Sequence, residues 1–289
     1  MPNILDLRRR IRSVRNTQQI TRAMKMVAAA RLRRAQERVV NARPYAAQIR
    51  TLLQSAVARL EPAEQAAHPL LAVRPEEKIL LVLVTADRGL CGAFNANLIR
   101  AAQSYLDERS GRPVSILAVG RKGRDHLRRR GVAMVAEHVD VFSRLEFGHA
   151  RAIAGEIIEL YTNGSVDAVD FLYNEFKSIL TQRLTVERQL PIGPIEAAPG
   201  EALVDYIYEQ SPVEVFGRLL PRYVEAEVYR TLLESQAAEL AARITAMDAA
   251  TRNAGDMIDS LTLTMNRVRQ AAITKEIIEI VSGAAAQQE

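Results

Sequence analysis

The sequence predicts an α/β protein: a long antiparallel α-helical coiled coil formed by both termini plus a central Rossmann-like α/β domain. Three observations predict it. Residues 3 to about 60 and about 213 to 282 each carry an unbroken helical pattern. At roughly 1.5 Å per residue each helix would be about 85 Å or longer, against a radius of gyration of about 19 Å for an ordinary globule of this size. Apolar residues recur every seven positions along the second stretch, and between the two stretches short β-rich runs alternate with helical ones. The divisions expected are residues 1–61, an N-terminal coiled-coil helix; 77–193, the central α/β domain; and 212–286, a C-terminal coiled-coil helix.

The N-terminal helix opens a seam with Ile4, Leu7, Ile11 and Val14. The seam weakens through Gln18, Thr21 and Lys25 before Ala28 and Leu32 resume it. Glu61 to Pro75 is a breaker-rich link with prolines at 62, 69 and 75. Lys78 to Thr85 is a continuous apolar run of the kind found in strands buried on both faces. A helix is expected over Ala93 to Arg109, a strand over Val114 to Gly120, a helix over Arg121 to Arg130 and a short strand over Val132 to Glu137. Leu145 to Thr162 reads as a helix, and Asp167 to Phe176 and Leu184 to Ile192 as strands. Such alternation implies a mostly parallel sheet with helices on both faces, and the two adjacent final strands imply an antiparallel edge. Pro191 to Pro212 is a second link.

In the C-terminal helix Leu233, Leu240, Met247, Ala254, Leu261 and Val268 repeat every seven, with Ala237, Ile244, Thr251, Ile258, Met265 and Ala272 between them. A strict seven-residue period implies a left-handed supercoil. Because the body lies between the two helices in sequence, an antiparallel pair within one chain is the economical arrangement. Pro44 and Pro221 fall inside the long helices, where each removes a backbone donor and either kinks the helix or marks a boundary.

Apolar residues off the seam bear on function. Counting about 100° per residue, Ile20, Met24 and Val27 lie on the side away from Ile4, Leu7, Ile11 and Val14. Ile273, Ile277, Ile278, Ile280 and Val281 form a stripe too broad for one partner helix. Two such patches favour a partner; a third helix of the same chain, or ordinary surface hydrophobes, is the alternative.

Residues 1 to 60 hold fourteen Lys or Arg against Asp6 and Glu37, a net of +12 in a chain whose total is +5, so the remainder is acidic. A basic helix suits nucleic acid, anionic lipid or an acidic protein surface, with a solvated face as the alternative. Tyr45 is the only aromatic before Phe94, which argues against stacking on single strands. The Arg-rich N-terminus is also similar to a mitochondrial transit peptide, but its periodicity runs on unbroken and is read as mature structure. No apolar run approaches a membrane span, so any membrane association is expected through partners. The single cysteine, Cys91, excludes an internal disulfide and suits the cytoplasm.

Chemistry finds little support. The turn Thr85 to Asn95 (TADRGLCGAFN) opens a helix where a phosphate could sit, yet it matches neither the dinucleotide fingerprint nor the Walker pattern, and Gly120 to Gly123 is equally weak. Glycines closing tight strand-to-helix turns are the better reading. His68, His126, His138 and His149 lack ligand spacing. Neither catalytic, cofactor-binding nor metal residues are assigned.

Ile11 to Ala30 (IRSVRNTQQITRAMKMVAAA), Thr85 to Asn95 and Arg269 to Ala286 (RQAAITKEIIEIVSGAAA) resemble the three signature regions of the γ subunit of F-type ATP synthases, and the resemblance covers essentially the whole chain. It implies a non-catalytic rotary shaft carrying torque between a membrane rotor ring of c subunits and a ring of three α and three β subunits, with ATP made or hydrolysed on β. It implies further contacts with the ε subunit, no cofactor and no nucleic acid, and a peripheral position on the cytoplasmic face of the bacterial inner membrane. Residue by residue, it places Arg22, Met24, Lys25, Arg269, Gln270, Thr274, Glu276 and Glu279 against the α/β ring. Ile277, Ile278, Ile280 and Val281, with Ala284 to Ala286, would run in an apolar bearing, and Tyr206, Tyr208 and Glu209 would rest on the rotor ring. Chloroplast members carry an insert with a redox-active cysteine pair; with Cys91 alone, thiol switching of that type is excluded. Two readings from other classes stand beside this one: a basic coiled-coil nucleic-acid-binding protein, and a nucleotide-dependent enzyme with a coiled-coil appendage.

Overall fold

The computed structural model describes residues 3–57, 68–192 and 212–286. In chain order the elements are α1 (Ile4–Val57), β1 (Ile79–Val84), α2 (Phe94–Glu108), β2 (Val114–Val119), α3 (Arg121–Arg129), β3 (Met134–His138), a 3-10 turn (Val141–Ser143), α4 (Phe147–Thr162), β4 (Ala168–Phe176), β5 (Gln182–Leu190) and α5 (Pro212–Ala286). They form two compact units, Met1–Ala28 with Ile244–Glu289, and Ala29–Arg243.

The first unit is an antiparallel helix pair. The Thr21 and Thr251 hydroxyls meet at 2.8 Å, and Lys25, one turn later in α1, reaches Asp248, one turn earlier in α5, at 2.5 Å. Burial follows the seven-residue period. Leu7, Thr21, Ala28, Met247 and Ala254 are buried, while Ile4, Ile11, Val14, Ile258, Leu261, Met265, Val268 and Ala272 are half-buried. Continuing the Thr21–Thr251 register brings Ile4 level with Val268, so α5 runs on beyond the start of α1. Consistent with that, Ile273, Ile277, Ile278, Ile280 and Val281 are exposed.

The second unit holds a five-stranded sheet in the order β3-β2-β1-β4-β5, parallel except for β5, which pairs antiparallel with β4. The pleat sends alternate side chains to opposite faces. Leu80, Val82 and Val84 join a core with Ile153 and Ile157 of α4, Leu53 of α1 and Val228 and Leu232 of α5. Ile79, Leu81 and Leu83 join a second core with Phe94, Leu98 and Ala102 of α2 and Leu127 of α3. β1 is buried on both sides, which is why its six residues are all apolar.

The strands and helices fall where the sequence predicts, with shifts at the ends that have local causes. α4 starts at Phe147 rather than Leu145 because Glu146 is extended and forms a reciprocal capping box with His149. β3 starts at Met134 rather than Val132 because Gly131 at φ +69 turns the chain and the Val132 N–H donates back to the Leu127 carbonyl. α1 passes through Pro44 and α5 through Pro221, so neither proline starts a new helix.

Candidate functional site

In an open α/β sheet, ligands settle outside the carboxyl ends of the strands where the strand order reverses. Here that point lies between β1 and β4. On the other side of β1, at the ends of β1, β2 and β3, the protein's own groups bond one another. The Thr85 hydroxyl accepts the Gly123 N–H at 2.8 Å, and the Asp87 carboxylate accepts the N–H groups of Arg121 (3.0 Å), Asp140 (2.8 Å) and Phe142 (3.3 Å). The Asp87 carboxylate thus sits at the N-terminus of α3, where a phosphate would otherwise be favoured. Gly120, at φ +94, approaches so closely that a Cβ would lie 2.0 Å from the Thr85 carbonyl oxygen.

α5 is bonded to the same end of the sheet. The Glu234 carboxylate accepts the Phe176 N–H at the end of β4, Gln236 donates to the Phe142 carbonyl at 3.1 Å, and Arg243 donates to the Gly89 carbonyl at 2.8 Å while also pairing with Glu239. Ala237, Ala238 and Ala241 are fully buried, their small side chains allowing the helix to come close. Cys91 is buried under this edge, and burial, followed by the nearby Glu239 charge, pushes its thiol up from the usual range. Sequence reasoning named the turn but missed Glu234, Gln236 and Arg243. Their signal is faint: polar residues interrupting a small-residue helix face.

On the helix pair Arg22 is exposed, as are Ile20 (59%) and Val27 (54%). Met24 departs from expectation: it is half-buried, because it flanks the seam positions Thr21, Lys25 and Ala28 rather than lying opposite them. Lys25 is also not a free outward charge, since its ammonium is committed to Asp248, whose carboxyl it holds below the usual aspartate range. Arg269, Gln270, Thr274, Glu276 and Glu279 are exposed together with Ile277, Ile278, Ile280 and Val281 on the last turns of α5. Of these, Thr274 donates to the Gln270 carbonyl at 3.0 Å and Glu279 pairs with Lys275 at 3.5 Å. Tyr206, Tyr208 and Glu209 lie outside the described residues. Among the described residues there is no cluster of metal-ligating side chains and no helix long and apolar enough to cross a membrane.

Strand ends bonded to one another and to α5, a heptad-paired helix and an apolar helix end without an α1 residue beside it define a helical stalk protein, one that works by presenting surfaces to other chains. Comparison with known proteins makes this specific. A family model described as ATP synthase matches residues 3–287. Curated proteins named ATP synthase gamma chain from Solibacter usitatus and Pelotomaculum thermopropionicum are 54% and 50% identical over 288 and 287 residues, each alignment covering 99% of both chains. The chain therefore belongs to the ATP synthase gamma chain family. Among solved structures, a chain of the central stalk and c-ring structure of the Tetrahymena thermophila mitochondrial ATP synthase is 28% identical with a TM-score of 0.62, covering 80% of this chain and 99% of that one. A chain from the Euglena gracilis mitochondrial enzyme, 22% identical with a TM-score of 0.68 over 98% of this chain and 94% of that one, shares the fold.

Proposed function

We propose that this chain is the central rotary shaft of a proton-translocating F-type ATP synthase, coupling the c-subunit rotor ring to the catalytic ring of α and β subunits. The observation that carries the proposal is the end of α5. Past about Ala272 it has no α1 residue level with it, yet it keeps Ile273, Ile277, Ile278, Ile280 and Val281 exposed. An exposed apolar stripe wider than one partner helix can cover suits a surrounding apolar collar, and the last four of these residues are assigned to that bearing. Arg22, Met24, Lys25, Arg269, Gln270, Thr274, Glu276 and Glu279 are assigned to passing contacts with the α/β ring, and Tyr206, Tyr208 and Glu209 to the rotor ring, with ε as a further partner. The chain is non-catalytic and holds no cofactor in this role. It sits peripherally on the cytoplasmic face of a bacterial inner membrane, and its bacterial relatives support that location. Its division into an N-terminal helix, 1–61, a body, 77–193, and a C-terminal helix, 212–286, follows from that role.

The test is ATP hydrolysis by purified α and β subunits of the same organism with and without this chain, alongside size exclusion. Comigration at one copy per ring with raised steady turnover is expected. A chain that stays separate and changes nothing overturns the proposal and brings forward the nucleic-acid arm, whose binding would fall steeply with salt.

A further inference from the structure

The seam of the helix pair is interrupted once by a contiguous polar layer, and its members are bonded to one another across the pair. Gln18, Thr21 and Lys25 occupy three successive seam positions of α1. Opposite them, the Thr21 and Thr251 hydroxyls meet at 2.8 Å, the Gln18 amide donates to the Thr251 carbonyl at 3.4 Å, and the Lys25 ammonium donates to Asp248 at 2.5 Å. Asp248 is held a second time by Arg252. Gly255 completes the layer. A Cβ there would stand 3.2 Å from the Gln18 amide nitrogen, so the glycine, costly inside a helix, leaves the room that amide occupies.

We infer that this layer is an alignment lock, fixing the axial register of α1 against α5 in the helix pair. Aliphatic seam residues accept one another at any heptad offset, so a seam of Ile, Leu, Val and Met alone has several registers of similar energy. The layer does not. A slip by one heptad sets Gln18, Thr21 and Lys25 level with Leu261, Ile258 and Ala254 in one direction and with Met247, Ile244 and Leu240 in the other, stranding polar groups at half-buried positions. A single buried polar position is known to select register in helical pairs at some cost in cohesion. Here the selection has three bonded contacts. The consequence is that outward residues such as Arg22 and Arg252 keep a fixed height relative to one another. The inference concerns the helix pair itself and does not depend on the shaft assignment.

The experiment uses the full chain with Cys91→Ser as background and oxidative cross-linking between introduced cysteines. Val14→Cys with Ile258→Cys reports the observed register, one heptad along from Thr21 and Thr251. Val14→Cys with Met265→Cys reports a slipped one. In the otherwise unchanged chain the first pair is expected to close at least tenfold faster than the second. With Gln18→Leu, Thr21→Val, Lys25→Leu, Asp248→Leu and Thr251→Val together, the two rates are expected to come within about threefold of each other while the helical circular dichroism and melting temperature are kept or raised. A milder variant, Thr21→Val with Thr251→Val, should fall between. If the all-apolar variant keeps the tenfold preference, register is set elsewhere and the inference is wrong. If that variant loses its helical signal, the layer supplies cohesion rather than alignment, and the inference is equally overturned.

Discussion

Replacing Gly120 by alanine separates two readings of the glycines at the ends of β1 and β2. If they cradle phosphate, Gly89 and Gly120 should be comparable in importance to ligand binding and minor for folding. The structure predicts the reverse for folding. At Gly120 the backbone is at φ +94, and an added Cβ would stand 2.0 Å from the Thr85 carbonyl oxygen and 2.6 Å from its carbon, both backbone atoms that cannot swing aside. Holding an L-residue at such a φ costs roughly 1–2 kcal/mol, and overpacking adds about 1–3 kcal/mol, so Gly120→Ala should cost roughly 2–5 kcal/mol. Gly89→Ala meets only the flexible end of Lys122, its Cε at 3.7 Å and Nζ at 4.0 Å, and should change stability by less than about 0.5 kcal/mol.

The assay is urea unfolding of the full chain followed by circular dichroism, comparing transition midpoints at constant slope. The same mechanism makes a further demand. Thr85→Val keeps the shape but orphans the buried Gly123 N–H, so it should cost about 1–3 kcal/mol. Gly120→Ala unfolding at the unmodified midpoint, or Gly89→Ala proving the worse of the two, would refute the packing account of this turn.

Thr231 is fully buried on α5 and its hydroxyl has no hydrogen-bond partner among the described residues; Thr231→Val should therefore stabilise the protein by about 1 kcal/mol, read as a raised urea midpoint. Asp170 is buried, accepting from the Tyr105 hydroxyl and the Arg188 guanidinium at 2.5 Å each. Asp170→Ala should cost about 1–3 kcal/mol, because it orphans the Tyr105 hydroxyl and leaves Arg188 with Glu76 alone, whereas Tyr105→Phe should cost about 1 kcal/mol. His68 accepts the Leu70 N–H on Nδ1, and burial lowers its pKa from the usual 6.5. The unfolded chain therefore binds the proton more readily. This contribution is complete above 6.5 and is lost as pH falls through the lower folded value, so the urea midpoint should drop between about pH 8 and about pH 5.5. His68→Gln should flatten that drop.

The elements were legible because each announces itself locally. The apolar run within Lys78 to Thr85 is typical of a doubly buried strand and forms one over Ile79–Val84, and the α5 heptads fix which residues face α1. The apolar end of α5 was legible for the same reason, since five large aliphatics within nine residues outrun any single seam. What the sequence hid is contact between distant positions. Arg243 on Gly89 and Gln236 on Phe142 join residues 154 and 94 apart, and no periodicity in either segment signals the other. Lys25 was legible as a basic residue but not as the partner of Asp248, 223 positions away. Met24 was misplaced because angles on an ideal helical wheel ignore how widely a coiled-coil seam shields its flanking positions.

The surface of the helix pair fits a contact that must be passed repeatedly rather than held. Among the described residues Arg9 pairs with Asp6 at 3.9 Å, whereas Arg8, Arg10, Arg12, Arg15 and Arg22 are exposed and enter no ion pair. Their field reaches about 8 Å at physiological ionic strength, enough to attract an acidic surface, yet each exposed pair formed is worth only about 0–1 kcal/mol. That is little more than thermal energy, so a charge can be exchanged for its neighbour without a trap. A fully buried, bonded ion pair would act as a brake in the same place, since breaking one costs about 3–5 kcal/mol. The apolar end of α5 follows the same logic, because burial against a smooth apolar wall depends on area and not on angle. Strong directional bonds are found inside the units, at the strand ends and along the seam, while the outward faces carry interactions that are long in range or indifferent to direction. That division is what a rotating contact requires.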